Sequence, residues 1–275
     1  MPALRLMAVL AHPDDESLGF GGTLAKYAAE GVEVFLLTAT RGDGGRYRGH
    51  PRDDPRHPGA AALAEIREAE LRAAADVLGI REVSLLDYRD QQLDRADPHE
   101  VVSHIARHLR RVRPDVVLTF GPDGAYGHPD HVAISQFTTT AIGAAADPAF
   151  PIGGDTAADP HAVLKLYYIA WPASTWAAYE TAFRKIVSMV DGVERQAVPW
   201  PEWAITTAID ARSTWPIVWR AVSCHDSQVA GYERLKELPP EHHEMLWGRQ
   251  WFYRVLSRVN GGRARETDLF EGIRR

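Results

Sequence analysis

Leu4-Arg5-Leu6-Met7-Ala8-Val9-Leu10-Ala11-His12-Pro13-Asp14-Asp15-Glu16 is the stretch on which the fold turns. Its first seven residues are nearly all apolar, as a strand covered on both faces requires. The run ends abruptly in four ionisable residues interrupted by Pro13. Packed carboxylates cost free energy unless they are paired or bound to metal, so a cluster at a strand end points to chemistry rather than stability. Similar short runs recur at residues 32–38, 83–86, 115–120 and 164–171. Between them, segments 18–30, 60–78, 98–112 and 129–146 repeat apolar residues every three to four positions, with Gly31 and Gly79 placed as helix stops. This alternation predicts an α/β domain with a Rossmann-like, doubly wound, mainly parallel sheet.

A second polar cluster, Gly127-His128-Pro129-Asp130-His131, follows the strand at 115–120. Function in open parallel sheets gathers at the carboxyl ends of strands, so the two clusters can face one another. His12, Asp15 and His131 supply two imidazoles and a carboxylate, a ligand set that suits a catalytic zinc with its fourth position left to water. Asp14, His128 and Asp130 remain beside it, as candidates to activate water, stabilise an oxyanion and orient a histidine. A lone His-x-x-His at a helix start is more often a capping or surface feature, and only the pairing of both clusters lifts this one above it. His104 and His108, four apart on a predicted helix, show no carboxylate partner and read as solvated surface.

The rest of the chain narrows the classes. With 275 residues it can bury a core without structural metal, so a bound metal is free to be catalytic. A net charge of −6 offers no basic face for nucleic acid. The single cysteine, Cys224, excludes an internal disulfide and a thiolate zinc site, and reads as a buried inert thiol. The apolar start is too short, and too acidic after it, for a signal peptide, and no run reaches spanning length; a cytoplasmic protein with no membrane partner is expected, with a homo-oligomer left open. No Gly-x-Ser-x-Gly elbow supports serine hydrolysis, and Gly19-Phe20-Gly21-Gly22 lacks the Gly-x-Gly-x-x-Gly spacing of a dinucleotide site. Residues 41–59, rich in Gly, Arg, Asp, Pro and His, read as a mobile loop at the border of the site. All eight tryptophans fall between Trp171 and Trp251. That asymmetry divides the chain into a sheet core with the metal site (1–172) and a Trp-rich C-terminal extension (173–275) that completes the substrate side. Most of these rings should fill a core or a subunit contact, with one or two left to line a sugar site.

Ala11-His12-Pro13-Asp14-Asp15-Glu16 and Tyr126-Gly127-His128-Pro129-Asp130-His131 together resemble the PIG-L/LmbE-like zinc N-deacetylases, which include the bacterial enzymes that deacetylate glucosaminyl precursors of mycothiol and bacillithiol. The resemblance extends over nearly the whole chain as one domain. Weaker matches are Thr40-Arg41-Gly42-Asp43-Gly44-Gly45, Ile66-Arg67-Glu68-Ala69-Glu70, His225-Asp226-Ser227-Gln228 and Glu266-Thr267-Asp268-Leu269-Phe270. It implies that His12, Asp15 and His131 hold Zn2+, or another divalent transition metal that the same ligands accept. It further implies Asp14 as general base, His128 as a charged imidazole for the oxyanion or leaving amine, and Asp130 as the group that orients an imidazole. Tyr126 would assist the tetrahedral intermediate. Arg67 would contact substrate, against a surface-pair reading with Glu65, Glu68 and Glu70. The implied reaction is hydrolysis of an N-acyl, above all N-acetyl, group from a small amino sugar or glycoside. An amidase for a larger thiol-sugar conjugate and a non-catalytic carbohydrate-binding protein are the alternatives. Asp43 stands where many members carry Glu, and the Arg-rich stretch to His57 has no counterpart; both bear on substrate, not chemistry.

Overall fold

The computed structural model describes residues 3–152, 159–183, 187–190, 192–196, 198–228, 230 and 233–273. The opening apolar run forms β1 (Arg5–Leu10), buried from Leu6 onward, third in the order of a seven-stranded sheet. β2 (Glu33–Thr40) and β3 (Glu82–Tyr88) extend the sheet on one side of it, and β4 (Val116–Thr119) and β5 (Lys165–Ile169) on the other, all parallel. The chain thus reverses its direction of sheet growth between β1 and β4, and a crevice opens beyond their carboxyl ends. Both polar clusters follow those two ends.

α1 (Asp15–Leu18) and α2 (Gly21–Ala29) replace the single helix expected over 18–30. At the break, the Leu18 carbonyl accepts from Trp247 Nε1 (3.2 Å) and the Gly19 carbonyl from Gln250 Nε2 (2.6 Å), and just inside α2 a Cβ on Gly22 would stand 2.5 Å from the Trp247 carbonyl. Gly19-Phe20-Gly21-Gly22 is therefore a packing surface for the C-terminal segment. α3 (Ala60–Leu78), α4 (Pro98–Val112) and α6 (Pro129–Ala146) match their expected bounds, with the kinked turn α5 (Gly124–Gly127) ahead of α6. α3 buries Leu63, Arg67, Leu71, Ala74 and Leu78 on one stripe, so the helical period itself turns Arg67 inward. It stops at Gly79, whose φ of 75° suits glycine.

Beyond residue 172 come α7 (Ala173–Phe183), the hairpin β6 (Ser188–Val190) and β7 (Val193–Arg195), β8 (Thr207–Asp210), α8 (Trp215–Val222), α9 (Glu233–Glu237), α10 (Pro240–Trp247) and β9 (Arg249–Ser257). β9 pairs antiparallel with β5 and with β8, so this part adds two strands to the sheet, which the sequence reading did not foresee. Helices cover both faces: α4 packs on α6, while α2 and α3 pack on α8. Trp247, Trp176 and Trp219 fill a second core with α7, α8 and α10, but Trp203 is 87% exposed. Glu266 ties the end of the chain to the sheet, accepting from Lys165 (2.6 Å), Tyr167 (2.7 Å), Thr207 (3.0 Å) and Asn260 (2.6 Å) and pairing with Arg254 (2.8 Å). Cys224 is half-buried rather than buried; burial, then Glu16, raises its thiol pKa, which keeps it unreactive. No helix of the described residues is long and apolar enough to cross a membrane.

Candidate active site

The turn after β1 presents His12, Asp14 and Asp15, and the first turn of α6 presents His128, Asp130 and His131. His12 Nδ1 lies 3.1 Å from His131 Nε2. Asp15 Oδ1 is 3.3 Å from His131 Nε2, and its Oδ2 is 3.7 Å from His12 Nδ1. Ligands about 2.05 Å from a tetrahedral zinc stand roughly 3.3 Å apart, so three bonds to one ion fit these separations.

The outer partners fix which nitrogen of each ring faces that point. His131 Nδ1 faces the Gly124 carbonyl at 3.2 Å and so carries the proton, leaving a lone pair on Nε2. His12 Nε2 faces Asp130 Oδ2 and Asp90 Oδ1, each at 3.1 Å, leaving a lone pair on Nδ1. A cation can take both nitrogens and the carboxylate; without one, a second proton on His12 Nδ1 would bridge to His131 Nε2 at 3.1 Å, and metal binding would displace it. Phe120 stacks on His131 at 3.9 Å, which fixes the ring plane. Burial opposes charge on His12, but Asp90 and Asp130 outweigh it and hold its pKa well above the usual value. Burial likewise opposes ionisation of Asp15, and His131 and His12 overcome it, holding the carboxyl below the usual range.

Asp14 occupies the N-cap position of α1, yet its side chain makes no cap bond there, and its φ is 108°. A non-glycine residue in that region costs on the order of 1–3 kcal/mol and persists only when its surroundings impose it. Arg67 helps to impose it. The guanidinium donates to Asp14 Oδ2 (3.1 Å), to the Gly42 carbonyl (3.1 Å) and to the Pro13 carbonyl. Arg67 is 4% exposed and so is no surface pair with Glu65, Glu68 or Glu70; Glu68 pairs instead with Arg41 and Arg72, and Glu70 accepts from Ser227.

His128 caps α6: its Nδ1 accepts from the Asp130 backbone N–H at 3.2 Å, which places its proton on Nε2. Burial, then His12 and His131, pushes its pKa down to about 3. That shift favours the neutral ring, with Nε2–H as its donor. Tyr126 stands edge-on to His131 at 5.2 Å, its phenol pKa raised well above the usual value by burial and then by Asp15, Asp14 and Asp90.

A cleft of about 350 Å³ brings these together: His12, Asp14, Asp15, Arg67, Tyr126, His128 and His131 line it, while Asp130 stands behind His12. Trp171 and Tyr179, stacked at 4.2 Å, form part of an apolar wall, so one of the eight tryptophans lines the cleft. The sequence reading missed Asp90 and Gln91. Asp90, 8% exposed, is held at about 2 by His12 and then Arg67, against burial. Its signal was available: it follows β3, a third carboxyl strand end. Two further groups among the described residues could hold a metal, His12–His128–His131 and His12–Asp90–Asp130; His12 belongs to both, and His131 to the first. His104 and His108 stay outside the cleft, where His104 Nδ1 meets the Tyr88 hydroxyl at 2.9 Å. The 41–59 loop does border the cleft through Gly45. It is bound to both rims, with Gly44 accepting from Gln91 (2.9 Å), Arg46 accepting from Gln228 (2.8 Å) and Arg48 donating to Ser227 (2.6 Å).

Residues 7–142 match the family described as PIG-L, GlcNAc-PI de-N-acetylase. A 1D-myo-inositol 2-acetamido-2-deoxy-alpha-D-glucopyranoside deacetylase of Kineococcus radiotolerans is 35% identical, over 98% of this chain and 83% of its own length. Among solved structures, a conserved protein of Thermus thermophilus superposes with a TM-score of 0.63 at 25% identity, over 94% of this chain and 97% of its own. A 4-carboxy-2-hydroxymuconate hydratase from Pseudomonas putida does so with 0.69 at 19% identity, over 94% and 99%. The hydratase shares the fold alone, so the activity has to be argued from the site.

Proposed function

Because the chain belongs to the PIG-L family of de-N-acetylases, we propose that it hydrolyses the N-acetyl group of a small glucosaminide, with His12, Asp15 and His131 holding a divalent cation, zinc by ligand type. The observation that carries this reading is the convergence of His12 Nδ1, His131 Nε2 and the Asp15 carboxylate within 3.7 Å of one another, with Asp14 beside them on the same turn. A cation there supplies Lewis acidity that polarises the amide carbonyl and brings the pKa of a water to roughly 7. Asp14 takes a proton from the attacking water as its oxygen bonds to the carbonyl carbon. The neutral Nε2–H of His128 donates to the oxyanion, and Tyr126, on the turn just ahead of α6, offers a second donor. The carbon–nitrogen bond then breaks as the proton held on Asp14 passes to nitrogen, which gives a free amine and acetate. Asp130 keeps His12 in the tautomer that ligation needs, and Asp90 stands next to it.

The apolar wall of Trp171 and Tyr179 suits the apolar face of a sugar ring, and Arg67 and Gln91 line the same cleft. The test is to incubate metal-loaded protein with the inositol glycoside that names the Kineococcus enzyme, with simple N-acetylglucosaminides and with amide-linked thiol-sugar conjugates, measuring acetate and free amine. Acetate released from an N-acetylglucosaminide is the expected result. Cleavage of the conjugates alone would transfer the assignment to a larger amide, and binding without turnover would leave a carbohydrate-binding protein.

A further inference from the structure

We propose that Glu16 and His225 form a buried positioning pair that aims Asp14 into the cleft, an inference that rests on Asp14 being the base. Neither side chain is exposed, and neither lines the cleft. Glu16 Oε2 accepts the backbone N–H of Asp14 at 2.9 Å. Its Oε1 accepts from Ser17 Oγ at 2.6 Å and from His225 Nε2–H at 2.7 Å. Asp14 is thus gripped twice: at its backbone by Glu16 and at its carboxylate by Arg67. A left-handed aspartate needs such a grip, because released it would relax and swing its carboxylate.

Stability alone does not account for the pair. A fully buried carboxylate is expensive to desolvate, and among the described residues His225 Nδ1 is buried with no hydrogen-bond partner. An apolar pair of the same volume would hold the chain at least as well. What it would not supply is an acceptor for the Asp14 N–H. The turn that carries His225 is moored in its own right: Glu70 of α3 accepts from Ser227 N and Oγ, each at 2.7 Å. The same helix carries Arg67. Both grips on Asp14 therefore lead back to α3, one of them through a residue 209 positions downstream of Glu16.

The experiment compares His225→Ala and His225→Gln in the metal-loaded full chain, reading kcat, KM, metal content and thermal midpoint. His225→Ala should lower kcat about 10- to 100-fold with KM and metal content kept, the scale on which misplacing a catalytic group acts. His225→Gln, which still donates to Glu16, should recover most of that loss even if both variants melt early. Wild-type kcat in folded His225→Ala would overturn the proposal, as would equal losses in the two variants that follow their melting points. Should His225→Ala fail to fold, Glu16→Asp draws the carboxylate back from the Asp14 N–H: a lower kcat with metal retained supports the pair, and an unchanged kcat refutes it. Wild-type turnover in Asp14→Asn would instead sink the base assignment on which the inference rests.

Discussion

Asp14 and Asp15 are chemically alike and adjacent, yet the structure gives them different surroundings. Asp15 Oδ2 accepts from the backbone N–H groups of Ala11 and His12, and the carboxylate stands against the His12 and His131 imidazoles. Asp14 faces Arg67 and the open cleft. Asp15→Ala should therefore lose metal and turnover together after dialysis. Asp14→Asn should keep metal near one per chain while turnover falls roughly 10²- to 10⁴-fold. Metal analysis beside single-substrate kinetics separates the two, and Asp14→Asn with full turnover would contradict the assignment. The sequence could nominate both aspartates because each lies in one short motif. It could not show that Asp14 makes no cap bond, since that depends on a backbone angle. Asp90 escaped notice for another reason: it belongs to no local cluster, and only the parallel register of β3 beside β2 carries it to the site.

At the scale of elements, the first turn of α6 does two jobs, because His128 both caps the helix and points its Nε2–H into the cleft. His128→Asn separates them. Asparagine is a good N-cap, so thermal stability should hold while turnover falls; His128→Ala should lose turnover and also about 1 kcal/mol of stability. A stable and fully active His128→Asn would remove His128 from the chemistry. The five parallel strands were legible as near-continuous apolar runs, and α3, α4 and α6 from apolar residues every three to four positions. The break between α1 and α2 was not, since the carbonyls there accept from the Trp247 and Gln250 side chains more than two hundred residues away. The 41–59 loop was legible as a border of the site from its composition, but the bonds that moor it to Gln91, Ser227 and Gln228 are non-local.

The whole molecule is closed by segments that return to the sheet from the far end of the chain, above all β9 and Glu266. Burial opposes ionisation of Glu266, but Lys165, Asn260, Tyr167 and Arg254 hold its pKa at about 2. A carboxyl depressed in this way stabilises the fold fully above its unfolded pKa, near 4.5, and the contribution is lost as pH falls from about 4.5 to about 2. Glu266→Gln should therefore cost on the order of 3 kcal/mol at pH 7, with the gap to the parent narrowing over that window in urea unfolding. A gap independent of pH would show that the carboxylate's charge is not what stabilises this end. Such closure was illegible in sequence because Glu266 meets partners up to 101 residues distant. The account's central claim, one catalytic cation per chain, is tested most directly by stripping the protein with a chelator and titrating zinc back while acetate release from an N-acetylglucosaminide is followed. The account predicts no turnover in the stripped protein and activity that rises to a plateau at one equivalent. Undiminished turnover by protein shown to be metal-free would contradict it.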